Sequence, residues 1–556
     1  MNNGRVRRLT RPAIGPAAAV VAVVAIAAWR QSQGFTRFPL FFDDAWAALP
    51  SRFGVITALK MSVSTPGWTE LLRLWIRMGT NASWWAQLPS LLAAIAMGLG
   101  AYALCRRIGF ARWPSVVGVT MLVTNPTTLE YATRVKPYTV EMVLAVALLW
   151  SAEVVRRRRD WRSLAILAVV SVVAFAISFS VFAVLVGVWV AVLLWFRDAV
   201  HLRFRWLIAA SAAAIGVLAV GLPYYLTSSA RLGDNWQRRG YLEVYSSLHK
   251  LLHNSTLIFS GFLHNWSDLP IGHTRVDGTL TGLTYVDAGL GLFVVVAMVW
   301  WTASPRAWRE RPELVPVGVT MLIAVLLALG DVLPFGDGRT DEVLYPGLTL
   351  VVVAVVQSMV RRLGPRVSKE PNSTSAHRVV VAGLLALAVV LGSANLAGNH
   401  ALYPEADLKG LFHQIEQHWR PGDVIVVPAY LSFSWAEANI TPWKLQLKPK
   451  GDWPQGFRAV SKDPMVILPQ AYEGADPQLR DLQRKYKRIW YIGYELGVWD
   501  PYAVSAKYAA NDPLPTYTNS QLVQEGWRPF FSLKAKNCYA EPYTWPGTSR
   551  TSATPN

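Results

Sequence analysis

Two adjacent carboxylates, Asp43 and Asp44, follow directly on the first long apolar stretch of the chain. A second polar interruption, Glu130 to Glu141, carries Arg134 and Lys136 between Tyr131 and Tyr138. A third, Phe335 to Glu342, carries Arg339 between glycines and acids. A fixed carboxylate can take a proton from a hydroxyl, and fixed cations can hold a phosphate or the charge developing on one. Carboxylates beside a bilayer are costly to desolvate, so the Asp pair is a functional-site expectation. The plainer alternatives are a solvated turn for the pair and ion pairs within each turn, Arg134 to Glu130 and Arg339 to Asp341, which are weak at a surface.

Apolar segments position these groups. Of the 556 residues, 53% are hydrophobic and only 16% charged, the balance of an integral membrane protein. Such segments cover residues 14–29, 85–105, 114–125, 138–154, 163–178, 179–196, 206–227, 287–302, 314–332, 344–360 and 378–397. Most approach the roughly 20 residues of a spanning helix. Residues 163–196 are too long for one span, and Ser178-Phe179-Ser180 makes the turn between two. The first segment follows Arg5, Arg7, Arg8 and Arg11; it reads as an uncleaved span in preference to a signal peptide ending near Ala25-Ile26-Ala27. Either choice leaves Asp43 and Asp44 outside.

Charge sets the orientation. With the N-terminus inside, the cytoplasmic connections hold 22 Lys and Arg, including Arg156 to Arg159, and the short outer loops hold three: Arg134, Lys136 and Arg339. This is the positive-inside pattern at every alternate turn. Each of the three outer cations is an exception to it. Residues 401–556 hold 17 basic and 15 acidic residues, so nearly all of the +19 net charge follows from topology and gives no argument for nucleic-acid binding.

Two outer loops are long, 30–84 and 228–286. In the first, Pro66 to Arg77 gathers its apolar residues mainly on one helical face and reads as a helix lying at the membrane interface. In the second, His249 and His253 are four apart but have no third partner at a metal-site spacing. From residue 401 the composition becomes that of a soluble domain. Leu408 to Trp419 and Pro477 to Lys485 read as helices, Val424 to Val427 and Arg488 to Ile492 as strands, which predicts a small α/β domain. No catalytic motif stands out there. Cys105 lies in an apolar segment and Cys538 near the C-terminus, so no disulfide is expected.

The order of motifs resembles a known family. Asp43-Asp44-Ala45-Trp46, then Thr65-Pro66-Gly67-Trp68, an interfacial helix and Gln87-Leu88-Pro89-Ser90 are similar to the first outer loop of GT-C glycosyltransferases. The branch with lipid-dependent mannosyl-, galacturonosyl-, aminoarabinosyl- and arabinofuranosyltransferases is the nearest. Tyr131 to Tyr138 resembles that family's Tyr…Arg-Pro-Tyr turn, with Lys136 in the Arg place; Gly336-Asp337-Gly338-Arg339 and Tyr345-Pro346 resemble its late Gly-x-x-Arg…Tyr-x-Pro loop. The family's usual pair is Asp-Glu or Glu-Asp, so the Asp-Asp here leaves the roles within the pair open.

The resemblance implies an α-helical polytopic membrane protein of GT-C fold, with about eleven transmembrane helices over 1–400 and an extracytoplasmic α/β domain over 401–556. It implies an inverting transfer from a polyprenyl-phosphate-linked sugar to a glycan, glycolipid or protein acceptor. One of Asp43 and Asp44 would be the base and the other its positioner. Arg134, Lys136 and Arg339, with Lys60 as a further candidate, would bind the donor phosphate, and Tyr131, Tyr138 and Glu141 would line the cavity. Single displacement needs no enzyme nucleophile. No cofactor is required; a divalent metal is compatible with the family, and no metal ligands are named. The expected place is a bacterial cytoplasmic membrane among its lipids, from Ala-, Val-, Arg- and Trp-rich usage. A transporter or flippase would need charged or broken spans and an internal repeat, which the sequence does not show. A non-enzymatic cell-envelope scaffold would leave the outer-loop motifs unexplained.

Overall fold

The computed structural model describes residues 14–33, 35, 40, 42–55, 58, 64–80, 82–197, 200–224, 310–329, 342–367, 374–398, 408–428 and the strands and short pieces that follow up to 544. Ten of the eleven apolar segments fall wholly or largely within them, and each of the ten forms a helix over its described part. These are α1 (Ile14–Ser32), α4 (Ser83–Ile108), α5 (Arg112–Thr124), α7 (Tyr138–Arg158), α8 (Trp161–Ile177), α9 (Phe182–Trp195), α10 (Val200–Tyr224), α11 (Val315–Leu329), α12 (Tyr345–Val367) and α13 (Thr374–Gly398). Between them lie the shorter helices α2 (Phe42–Ser51), α3 (Pro66–Arg77) and α6 (Pro126–Tyr131). The segment at 287–302 and the loop at 228–286, with His249 and His253, lie outside the described residues. Among the described helices, five are long and apolar enough to cross a bilayer. The chain is a multi-pass membrane protein.

Sequence explains the helix boundaries. Gly109 closes α4 in the left-handed region at φ 107°, which glycine adopts without cost. Asp160 starts α8 by accepting a hydrogen bond from the Ser163 N–H at 2.8 Å. α8 ends at Ser178, and a 3₁₀ turn at Phe179–Val181 leads into α9, so the 163–196 run breaks where the sequence predicts. Helix α5 is buried along its length from Pro114 to Thr124 because α1, α12 and α13 enclose it. That enclosure explains a segment apolar on every side. Gly187 lets α9 close on α11; a Cβ there would stand 2.2 Å from the Thr320 hydroxyl.

At the C-terminal end, α14 (Leu408–His418) leads through Gly422 (φ 92°) into β1 (Asp423–Pro428). The other strands are β2 (Gln446–Pro449), β3 (Phe457–Val460), β4 (Met465–Leu468), β5 (Arg488–Tyr494), β6 (Arg528–Pro529), β7 (Leu533–Ala535) and β8 (Cys538–Thr544). The larger sheet has the order β4-β1-β5-β8-β6, with β7 also on β8; β1 is parallel to both β4 and β5, and β8 is antiparallel to β5. Asp423 pairs in register with Arg488 and accepts its Nε at 2.9 Å and the Trp490 indole N–H at 2.9 Å. The segment Pro477 to Lys485 lies outside the described residues.

Candidate functional site

Helix α2 carries Asp44 in its first turn, where the partial positive charge of the helix end favours a carboxylate. Asp44 is 2% exposed. Its Oδ2 accepts from Arg134 Nε at 2.7 Å and its Oδ1 from the backbone N–H of Val135 at 3.0 Å. Both carboxylate oxygens of Asp44 are therefore engaged by the turn before α7. Arg134 is itself 5% exposed, and its Nη1 stands 3.6 Å from Glu130 Oε1. The guanidinium thus lies between two buried carboxylates.

The turn is held rigidly. Asn125 caps α6 by accepting from the Thr127 N–H at 2.9 Å, with Pro126 at the first helical position. Gln87 Nε2 donates to the Thr133 carbonyl at 2.6 Å, and Ser90 Oγ donates to the Lys136 carbonyl at 3.2 Å. These two carbonyls flank Arg134 and Val135. Thr139 Oγ1 returns a bond to the Ser90 carbonyl at 2.9 Å. The Tyr131 and Tyr138 rings meet edge to face with centroids 4.4 Å apart.

Helix α3 seats the rest of the first loop. Thr65 Oγ1 donates to the Ile177 carbonyl, and a Cβ on Gly67 would stand 2.3 Å from the Ala176 carbonyl oxygen. Trp68, Leu72 and Ile76 are buried, while Leu74 and Met78 are exposed, an amphipathic arrangement. Arg73 grips Glu70 and holds its carboxyl below the usual carboxylate range. Pro89 interrupts α4, so the Trp85 carbonyl has no N–H at position 89 to receive. The Trp75 indole N–H fills that place at 2.8 Å, and the Trp85 indole returns a bond to the Trp75 carbonyl at 3.0 Å across stacked rings.

The structure thus brings together Asp44, Arg134, Tyr131 and Tyr138, with Lys136 half-buried on the same turn. Asp43 stands beside Asp44 on α2, and its side chain lies outside the described residues, as do Lys60 and Arg339. Glu141 is 1% exposed and accepts from Ser178 Oγ at 2.5 Å. Glu342, at the end of the late outer loop, is buried in a 3₁₀ turn packed on α7. From sequence, Gln87 and Ser90 enter only as part of a motif and Ser178 only as part of the turn between two spans; the structure shows their side chains bonded to this region. Among the described residues no group of three His, Cys, Asp or Glu is placed to hold a metal ion.

With the geometry established, comparison with known proteins places the fold. ArnT from Cupriavidus metallidurans bound to undecaprenyl phosphate superposes with a TM-score of 0.52 at 14% identity, covering 96% of this chain and 98% of that one. Its apo state gives 0.52 at 13% identity over 95% and 98%. Arabinosyltransferase EmbB from Mycobacterium smegmatis is similar over 80% of this chain and 44% of that one, with a TM-score of 0.34 and 14% identity. The fold is that of the GT-C glycosyltransferases. No curated protein matches the sequence. Residues 82–365, just over half of the chain, match the family described as a domain of unknown function, DUF6311, and the chain belongs to that family.

Proposed function

We propose that this protein is an inverting glycosyltransferase that moves a sugar from a polyprenyl-phosphate donor to a cell-envelope glycan, glycolipid or protein. One observation carries the reading: Asp44 of the first loop is bonded to Arg134 and Val135 of the turn before α7. That contact sets the Asp44 carboxylate against a cation-bearing turn in a GT-C fold. The bound undecaprenyl phosphate of the ArnT structure supports a donor of the same lipid class.

In this reading Asp44 positions and Asp43 acts as base, because both Asp44 oxygens already accept from fixed donors. The base takes the proton of the acceptor hydroxyl as that oxygen bonds to the anomeric carbon. The bond from that carbon to the lipid phosphate breaks on the opposite side, and configuration inverts. Charge developing on the phosphate oxygen needs cations, a role for Lys136 on this turn, with Arg339 and Lys60 as further donors. Arg134 acts on the phosphate only as far as its two carboxylate neighbours leave its positive charge available. Tyr131 and Tyr138 form the aromatic wall of the turn. The chain crosses a bacterial cytoplasmic membrane eleven times with its N-terminus inside, and 401–556 form an extracytoplasmic α/β domain that docks the acceptor.

The test is a strain carrying Asp43→Asn at wild-type abundance. Mass spectrometry should show one polyprenyl-phosphate sugar accumulating while one envelope glycan, glycolipid or glycoprotein loses a sugar. Unchanged pools in that strain would falsify the reading.

A further inference from the structure

We propose that Glu141 is a positioning residue: held by Ser178, it locks the cation-bearing turn before α7 to the break between α8 and α9. The inference rests on the glycosyltransferase reading and adds a residue to its machinery.

Glu141 lies one helical turn beyond Tyr138, in the first turn of α7. It is 1% exposed, and Ser178, which ends α8, is 2% exposed. Ser178 Oγ donates to Glu141 Oε1 at 2.5 Å and accepts from the Ser180 N–H at 3.3 Å. The hydroxyl therefore caps the 3₁₀ turn and holds α7 at once. The two residues before it take the first loop: Ile177 accepts from Thr65, and Gly67 sits against Ala176.

These contacts close a circuit. Asp44 on α2 is fixed to Arg134 and Val135. Their turn runs directly into α7, and Glu141 fixes α7 to Ser178. Ala176 and Ile177 fix α3, and α3 packs back on α2. A path that returns to its start sets the distance between the carboxylate pair and the cations from two directions. Opening it at Glu141 leaves the acid and the turn joined on one side only.

A second feature separates Glu141 from a packing residue. Its Oε2 is buried and has no hydrogen-bond partner among the described residues. Buried polar atoms are nearly always paired, and exceptions concentrate where function maintains them. A side chain selected only to fill this space would not carry that oxygen.

The experiment uses the full chain in lipid nanodiscs, as wild type, Glu141→Gln, Glu141→Ala and Ser178→Ala. Amide hydrogen exchange is read over 64–69, 131–141 and 176–182, and undecaprenyl phosphate binding is measured on the same samples. Loss of the Glu141–Ser178 bond should speed exchange in all three segments and weaken lipid-phosphate binding about tenfold, the scale of one buried hydrogen bond. Glu141→Gln keeps an acceptor for Ser178 and should restore both. If Glu141→Ala does not fold, Ser178→Ala, which removes one hydroxyl, carries the comparison. Exchange unchanged in these segments overturns the circuit, and faster exchange with unchanged lipid affinity overturns the positioning role. Wild-type protein that fails to bind undecaprenyl phosphate instead sinks the donor reading, and the exchange data then decide the circuit alone.

Discussion

The carboxylate of Asp44 and the guanidinium of Arg134 meet at 2.7 Å, although 90 residues separate them in the chain. Both side chains are nearly inaccessible, at 3% and 7%. A buried ion pair is weak evidence for stability, since desolvating two charges offsets most of their attraction. It is stronger evidence for a fixed geometry.

Removing one partner should therefore be far worse than removing both. Asp44→Ala takes one of two carboxylates from a buried guanidinium, and Arg134→Ala takes the guanidinium from both, so each should cost about 3–5 kcal/mol. The double variant Asp44→Leu/Arg134→Met should recover part of that loss, since buried Glu130 still loses the guanidinium, and should show no transfer. Chemical denaturation of the purified protein in detergent gives the stabilities. A double variant less stable than either single one shows that the pair is a net stabiliser and removes this account of its purpose.

Asp43→Asn and Asp44→Asn should fail differently. If Asp43 is the base, Asp43→Asn should keep undecaprenyl phosphate affinity and lose about 10²–10⁴-fold in turnover. Asp44→Asn should weaken lipid-phosphate binding as well, because an amide keeps one acceptor oxygen where the carboxylate offers two, and so loosens the turn that carries Lys136. Lipid binding and turnover measured on the same preparations separate the two, and identical profiles would remove the division of roles.

Much of this arrangement was legible in the sequence. Apolar length and the alternation of Arg-rich turns placed the ten described helices, because both signals are local. The Asp pair stood out because carboxylates beside a bilayer are costly to desolvate, and the turn from Tyr131 to Tyr138 because its cations are exceptions to the expected charge pattern. The partner of Arg134 was less legible: Glu130 was the sequence neighbour to suspect, and the structure adds Asp44 at shorter range. Such a contact depends on how α2 packs, which no local pattern encodes. Gln87 and Ser90 were visible only as part of a motif, since their partners are backbone carbonyls and leave no trace in sequence.

The pair at Glu70 and Arg73 gives a pH dependence with a definite sign. Arg73 lowers the Glu70 pKa below its ordinary value of 4.5. Its contribution to stability is then fully present above that value and is lost as pH falls through the lower folded one. Glu70→Gln should lower Tm slightly at pH 7 and make progressively less difference as the pH drops below the ordinary carboxylate range. Thermal unfolding across pH checks this, and a gap that widens toward acid contradicts it.

Gly67 should tolerate no side chain. The atoms a Cβ would meet are the Ala176 carbonyl oxygen and carbon and the Ile177 nitrogen, at 2.3, 2.6 and 2.8 Å, all of them backbone. Gly67→Ala must push α3 off α8, with a cost of about 1–3 kcal/mol or more from overpacking. Gly383, with nothing within 4 Å of a Cβ, is the control. Gly383→Ala should raise stability slightly through helix propensity. Equal Tm for the two variants would show that α3 is not seated on the end of α8.

Pro89 and Trp75 should be coupled through a single carbonyl. Pro89 offers no N–H to the Trp85 oxygen, and the Trp75 indole supplies one at 2.8 Å. Trp75→Phe retains a ring to stack on Trp85 but removes that donor, leaving a carbonyl short of a partner at a cost of about 1–3 kcal/mol. Pro89→Ala restores the helical N–H from within α4, so it should rescue part of the loss in the Trp75→Phe background. In the wild-type background it should gain much less, because the carbonyl is already paired. Unfolding free energies of the four proteins form a double-mutant cycle with a coupling term of about 0.5–3 kcal/mol. A coupling near zero would mean that the Trp75 indole does not replace the missing backbone donor, and that ring stacking and the Trp85 indole bond to the Trp75 carbonyl hold α3 on α4.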